Sequence, residues 1–167
     1  ILGQICPAPC EAGCRRKQVD EAVSICLLKR FVGDEDLKNE RPYKPQLAKL
    51  SGKKVAIIGA GPAGLAAAYY LQIKGHQVVV FDKNDRAGGE LLQIDQEILP
   101  SEIIDQEVAQ IVATGVQLRL NESINEFRFL ELQKEFDAVV VAFGAVNENT
   151  YDYGLKTINT GVIADKT

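Results

Sequence analysis

The sequence predicts an α/β fold: a parallel sheet with flanking helices, preceded by a small α-helical segment. Three observations predict it. The short apolar runs Val55–Ile58, Gln77–Phe81 and Ala138–Ala142 have the length and continuity of strands buried on both faces. An Ala- and Leu-rich stretch, Leu65–Lys74, separates the first two, so strand, glycine turn, helix and strand fit the ~30 residues of one βαβ unit. The opening residues stand apart, with CPAPCEAGC at 6–14.

Composition bounds the rest. The 167 residues suit one ordinary domain, or a domain plus an appendage. With 46% hydrophobic and 25% charged residues, the chain can bury a core. Net charge is −4, and Arg15-Arg16-Lys17 is a short run that reads as a solvated face, so no nucleic-acid partner is expected. No apolar stretch reaches the ~20 residues of a membrane span. No signal peptide is visible, and the expected location is cytoplasmic. The chain has no Met, so Ile1 is expected to lie inside a longer protein.

The elements follow in order. Val19, Ala22, Val23, Cys26, Leu27 and Phe31 recur at helical spacing and predict an amphipathic helix from Val19 to Phe31. Asp20 and Glu21 near its start and Lys29 and Arg30 near its end suit the helix dipole. Gly33–Gly52 is polar, with Pro42 and Pro45, and reads as a linker or strap. Beyond the βαβ unit, Ser101 is a good N-cap for a helix to about Ala113, stopped near Gly115. Val116–Leu120 alternates as a strand, Phe129–Lys134 reads as a short helix, and Gly161-Val162-Ile163 begins one more strand. No internal repeat is present.

Gly59-Ala60-Gly61-Pro62-Ala63-Gly64 joins the first strand to its helix. G-x-G-x-x-G is weak alone; its place between strand and helix gives it meaning. Gly59 permits the tight turn, Gly61 leaves room for a pyrophosphate, and Gly64 lets helix and strand pack closely. The helix N-terminus offers N–H groups and partial positive charge to phosphates. Asp82, about 20 residues on and at the end of the second strand, can accept both ribose hydroxyls of an adenosine. The reading is a Rossmann-like dinucleotide site. A second glycine pair in Arg86-Ala87-Gly88-Gly89-Glu90-Leu91-Leu92 suggests another close backbone approach to ligand, which a plain NAD domain does not need. It tips the choice toward FAD.

At these residues the chain resembles the FAD domain of the glutamate synthase small-subunit family. That group includes related flavin and iron–sulfur electron-transfer subunits and the N-terminal part of dihydropyrimidine dehydrogenase. The motifs are CPAPCEAGC, VAIIGAGPAGLAAAYYL, VVVFDKNDRAGGELL and DAVVVAFGA, spanning most of residues 5–145. The resemblance implies an iron–sulfur segment at 1–36, a linker at 37–52 and an FAD-binding domain at 53–145. Residues 146–167 would be a return segment of that domain. The ADP half of FAD would meet Gly59, Gly61, Pro62, Ala63 and Gly64, with Asp82 and Lys83 at the adenosine. Ile124 would contact adenine through its backbone. Gly89, Glu90, Leu91 and Leu92 would lie on the flavin side, and Phe143-Gly144-Ala145 beside the cofactor.

Two departures stand out. Gln93-Ile94-Asp95-Gln96 replaces the family's Arg-Tyr-Gly-Ile-Pro-like run. Only Val146–Thr160 separates Ala145 from Gly161, where the family inserts a second Rossmann domain for NAD(P)H. The chain is therefore expected to be a partial or shortened form of a longer protein.

Cys6, Cys10 and Cys14 admit several readings. A disulfide framework needs a secretory context that is not visible. Zinc prefers C-x2-4-C pairs. Plain buried cysteines explain neither the spacing nor the prolines. Ligation of a [4Fe-4S] cluster is chosen, largely on the resemblance, which also implies a fourth thiolate upstream. Pro7 and Pro9 cannot sit inside a continuous helix, so Cys6–Cys10 should loop, with helix from Cys10 onward. The remaining N–H groups can point at the sulfurs and tune the potential. Cys26, on the apolar stripe, reads as a small buried thiol.

The expected function is an FAD- and [4Fe-4S]-containing electron-transfer subunit. In the complete parent protein it would pass electrons between NAD(P)H, FAD and a larger catalytic partner subunit. Two alternatives stay open: an NAD-binding Rossmann dehydrogenase, and a non-enzymatic scaffold with a degenerate FAD fold. No catalytic side chain is assigned. His76, the only histidine, is expected on the surface in a helix-to-strand turn.

Overall fold

The computed structural model describes residues 1–144 and the backbone of 162–164. Ala145, Val146–Thr160 and Gly161 lie outside the described residues. The elements are α1 (Leu2–Ile5), α2 (Pro9–Ala12), α3 (Ile25–Lys38), β1 (Lys54–Ile58), α4 (Pro62–Ile73), β2 (Gln77–Phe81), α5 (Ser101–Ala113), β3 (Gln117–Arg119), α6 (Glu126–Glu135), β4 (Ala138–Val141) and β5 (Val162–Ala164). Short 3₁₀ turns occupy Arg15–Gln18 and Gly89–Gln93. Two compact units result, one of residues 1–44 with 94–107, the other of 45–93 with 108–167.

The larger unit is the predicted Rossmann-like α/β layer structure. Its sheet has the order β3-β2-β1-β4-β5. β1 pairs in parallel with β2 and with β4, β2 pairs in parallel with β3, and β5 is antiparallel to β4. Alternation decides the two faces, since successive side chains of a strand point to opposite sides. Ala56 and Ile58 join Val79, Phe81, Phe129, Leu132, Phe136 and Val139 on one face. Val55 and Ile57 join Ala68, Val78, Val80, Ala87 and Val116 on the other. Both faces of the central strands are thus covered, which is why those strands read as unbroken apolar runs.

The helix Leu65–Lys74 was placed correctly but starts earlier, at Pro62. Proline at the first helical position loses no hydrogen bond there. Asn125 caps α6 through its side chain, accepting from the Arg128 N–H at 2.8 Å. That cap sets the helix start three residues before the expected Phe129. His76 lies between α4 and β2 at intermediate exposure, with its Nδ1 2.8 Å from the Ser51 hydroxyl.

In the smaller unit the expected helix Val19–Phe31 is shifted to Ile25–Lys38. Its stripe does not become a buried face: Val19, Leu27 and Phe31 are exposed. The segment before it is instead shaped locally, by the 3₁₀ turn and by an Arg16–Asp20 ion pair. The start of α3 is fixed from a distance. Ser24 makes no side-chain cap, but the Glu11 carboxylate accepts the Cys26 N–H at 2.8 Å. The helix runs through Gly33 and ends on Asn39, so the linker expected from Gly33 lacks regular structure only after Lys38. α1 crosses α3 closely at Gly3, where a Cβ would fall 2.4 Å from the Arg30 Cα.

Candidate functional site

The glycine turn follows β1 at the carboxyl end of the sheet, where open α/β sheets hold their ligands. Gly59 has φ of 109°, and a Cβ on it would meet the Ala142 carbonyl oxygen at 2.4 Å. Gly64 is tighter: a Cβ there would fall 1.9 Å from the Gly59 oxygen. These two glycines are required by the fold itself. Gly61 differs, since a Cβ on it would meet nothing closer than the Gly89 Cα at 4.0 Å. Its lack of a side chain serves no packing contact and keeps the space above the helix open. α4 has no side-chain cap, so its first-turn N–H groups, from Ala63 and Gly64 after the N–H-less Pro62, face that space. Pro62 and Ala63 are exposed. Together these features fit a phosphate-bearing dinucleotide: an uncapped helix end under a gap that a Cβ would fill.

The second glycine pair is packed against the first turn. Gly88 N–H donates to the Ala60 carbonyl at 2.8 Å. Gly89 has φ of 56°, and a Cβ on it would lie 2.9 Å from the Gly61 Cα. The pair, expected to approach a ligand, has Gly61 itself as the nearest neighbour of Gly89. Two backbones without side chains run side by side. Glu90 is exposed and Leu92 half-buried, whereas Leu91 is buried in the protein.

Asp82 is half-buried just past β2. Its Oδ2 accepts the Ala60 N–H at 2.7 Å, and its Oδ1 accepts the Asn84 N–H at 2.8 Å and the Asn84 side-chain amide at 2.9 Å. The carboxylate thus locks the glycine turn to the end of β2, a role the spacing alone did not disclose. A carboxylate has about four acceptor positions, so capacity remains for ribose hydroxyls. Lys83 is exposed beside it. Asn121, with φ of 57°, donates its N–H to the Asn84 carbonyl at 2.9 Å, and Glu122 N–H donates to that of Asp82 at 2.9 Å. These bonds lead the chain from β3 toward Ile124, whose half-buried side chain packs against the Phe129–Leu132 face of the core. Phe143 and Gly144 are exposed past β4, with Gly144 at φ of 98°.

The cysteines lie in the other unit. Cys6 ends α1 in extended backbone, Ala8 is left-handed, and Pro9 opens α2. The expected loop and helix are therefore present. The Cys6 thiol is lowered from its ordinary value, chiefly by the Ala8 N–H, with Lys29 adding to it. The Cys14 thiol is lowered by the N–H groups of Val23, Arg16 and Lys17. Cys10 is exposed. Cys26 is half-buried, with its thiol raised by desolvation first and by Cys6 second. Backbone N–H groups therefore face the sulfurs of Cys6 and Cys14. Among the described residues, however, no three His, Cys, Asp or Glu side chains are gathered in an arrangement that could hold a metal ion.

Comparison with known proteins agrees with this geometry. The family model described as an NAD(P)-binding Rossmann-like domain matches residues 57–127. The glutamate synthase [NADPH] small chain of Bacillus subtilis (strain 168) is 40% identical over 87% of this chain and 30% of its own length. Over most of its length this chain is thus similar to a glutamate synthase small chain. Other homologues carry oxidoreductase names. The NADP(+)-dependent formate dehydrogenase subunit beta of Moorella thermoacetica is 41% identical over 86% of this chain and 24% of its own length. The NAD-dependent dihydropyrimidine dehydrogenase subunit PreT of Escherichia coli O157:H7 is 39% identical, over 86% of this chain and 36% of its own. Among solved structures, a 2-naphthoyl-CoA reductase with 2-naphthoyl-CoA is 28% identical with a TM-score of 0.50, over 64% of this chain and 16% of that one. The chain spans roughly a quarter to a third of the length of these three relatives. Among the described residues, no helix is long and apolar enough to cross a membrane.

Proposed function

We propose that this chain is the FAD-binding and iron–sulfur part of a cytoplasmic NAD(P)H-dependent oxidoreductase subunit. In the complete protein, electrons pass between NAD(P)H, FAD and a larger catalytic partner subunit. The observation that carries the reading is the apposition of Gly61 and Gly89 over the uncapped start of α4. It sets two backbones without side chains against each other at the helix start. The names of the relatives, a small chain and a beta subunit of oxidoreductases, support a role beside a partner.

Bound FAD would supply the exchange between two-electron hydride chemistry and one-electron transfer. The chain's own residues bind and orient. First-turn N–H groups of α4 would hold the pyrophosphate, and Gly61 admits it. Asp82 would accept the ribose hydroxyls while keeping the Ala60 N–H bond that stiffens the turn. The backbone of Ile124 would meet adenine, with Lys83 at the adenosine edge. Gly89, Glu90 and Leu92, with the backbone at Leu91, would line the way to the flavin, and Phe143 and Gly144 would flank it. Cys6, Cys10 and Cys14 would give three thiolates to a [4Fe-4S] cluster, with the fourth supplied from elsewhere.

The test is the nucleotide released by heat from the purified full-length protein, identified by chromatography, alongside iron and acid-labile sulfide. FAD with iron and sulfide is expected. Bound NAD without flavin would replace this reading by an ordinary nicotinamide dehydrogenase, and one equivalent of zinc without iron would remove the cluster.

A further inference from the structure

The adenosine end of the proposed site has fewer open acceptors than the position of Asp82 suggests. A ribose presents two vicinal hydroxyls, and a carboxylate seats both only if it keeps two acceptor positions open. Asp82 meets three protein N–H groups: its Oδ2 accepts from the Ala60 N–H at 2.7 Å, and its Oδ1 accepts from the Asn84 N–H at 2.8 Å and the Asn84 side-chain amide at 2.9 Å. Each oxygen has about two positions, so Oδ1 is filled and Oδ2 has one left. For a second hydroxyl to reach the carboxylate a bond must yield, and the two backbone bonds are held. Ala60 is buried in the glycine turn, and the Asn84 carbonyl accepts the Asn121 N–H at 2.9 Å. The Asn84 side chain, by contrast, is exposed. Its amide faces Oδ1 through one N–H, which leaves it a second N–H and a carbonyl oxygen. The last acceptor of Asp82 and the polar end of Asn84 thus meet at the same carboxylate.

We propose that Asn84 is a ribose-recognition residue of the nucleotide site and divides the diol with Asp82. One hydroxyl donates to Asp82 Oδ2. Its neighbour bonds the Asn84 side-chain amide, which keeps its own N–H on Oδ1. That narrows the part of Asp82 in the proposed site to one hydroxyl. The assignment rests on reading the glycine turn as a dinucleotide site, whatever the second nucleotide. The ligand class is a nucleotide with both hydroxyls free on its adenosine ribose. The two hydroxyls are then unequal. A bond to the carboxylate is charge-assisted and about twice as strong as one to a neutral amide. A carboxylate that took both hydroxyls would hold them alike.

The experiment uses the full-length protein stripped of nucleotide, with FAD and with FAD carrying 2′-deoxyadenosine or 3′-deoxyadenosine. Quenching of flavin fluorescence gives each affinity. One deoxy analogue should bind about thirtyfold more weakly than FAD and the other about threefold, the difference between a charge-assisted and a neutral bond. In Asn84→Ala the amide leaves Oδ1 and frees it for the second hydroxyl, so the two analogues should lose affinity alike. A merely structural role for Asn84 would weaken all three flavins together and keep their ratio, which overturns the proposal. Equal losses in the parent protein overturn it too, because the carboxylate then takes both hydroxyls. No loss with either analogue overturns it by taking the ribose away from Asp82. If the protein takes up NAD and not FAD, the flavin reading falls, and the same two deoxy forms of NAD, followed by calorimetry, decide the role of Asn84. If it takes up neither, both readings fall.

Discussion

Every residue from Val55 to Ala60 is buried, whereas none in α1, α2 or α3 is. The glycine cradle and the cysteine segment are thus held in different ways. The cradle hangs from central strands covered on both faces, and Gly59 and Gly64 are fixed by backbone atoms that cannot yield. The cysteine segment has short helices, exposed apolar side chains at Val19, Leu27 and Phe31, and single polar contacts such as that from Glu11 to the Cys26 N–H. A site of the first kind is formed before its ligand arrives. On the proposed reading, a site of the second kind would take part of its order from what it binds, as metal-dependent segments generally do.

The sharpest way to break the comparison is at Gly64. An added methyl group would lie 1.9 Å from the Gly59 oxygen, so turn and helix must separate. Gly64→Ala should cost about 3 kcal/mol, at the upper end for forced overpacking, and should abolish cofactor retention. Chemical denaturation with parallel flavin readout checks both. A variant as stable as the parent would show that the cradle is softer than its geometry implies.

Gly61 sharpens the same point because it lacks the packing reason. Gly61→Ala should leave stability within about 1 kcal/mol, the scale of a Gly-to-Ala change at a helix start. Cofactor affinity should fall about tenfold or more, since the new methyl enters the space reserved for the pyrophosphate. Titration of FAD into the stripped protein measures the second effect and thermal unfolding the first. Unchanged affinity would move the phosphate away from this turn.

The same contrast explains what was legible in the sequence. Strands β1, β2 and β4 announced themselves because burial on two faces leaves an uninterrupted apolar run. The tight turn at Gly59 and the close packing at Gly64 followed from spacing, since each of these glycines answers a local backbone demand. The contacts of Gly89 with Gly61 and of Asp82 with the Ala60 N–H were not legible, because they join turns distant in sequence. The start of α3 was misread for a related reason. Periodicity across Val19–Phe31 reported an amphipathic pattern, but the cap that sets the helix start comes from Glu11 on another element. Spacing cannot reveal a cap supplied from there.

That cap is the smallest test and the one most specific to the cysteine segment. Ser24 offers α3 no side-chain bond, so removing the Glu11 carboxylate leaves the Cys26 N–H without its partner. Glu11→Ala should cost about 1 kcal/mol, the usual value of a lost N-cap, and the loss should stay local. Amide hydrogen exchange should quicken from Ile25 to Leu28, where the first-turn N–H groups depend on the cap, while the β1–β2 ladder keeps its protection. Loss of protection in both regions would mean that the two are energetically one. No change in α3 would mean that the helix start is set by its own sequence after all, and that the shift from Val19 to Ile25 has another cause.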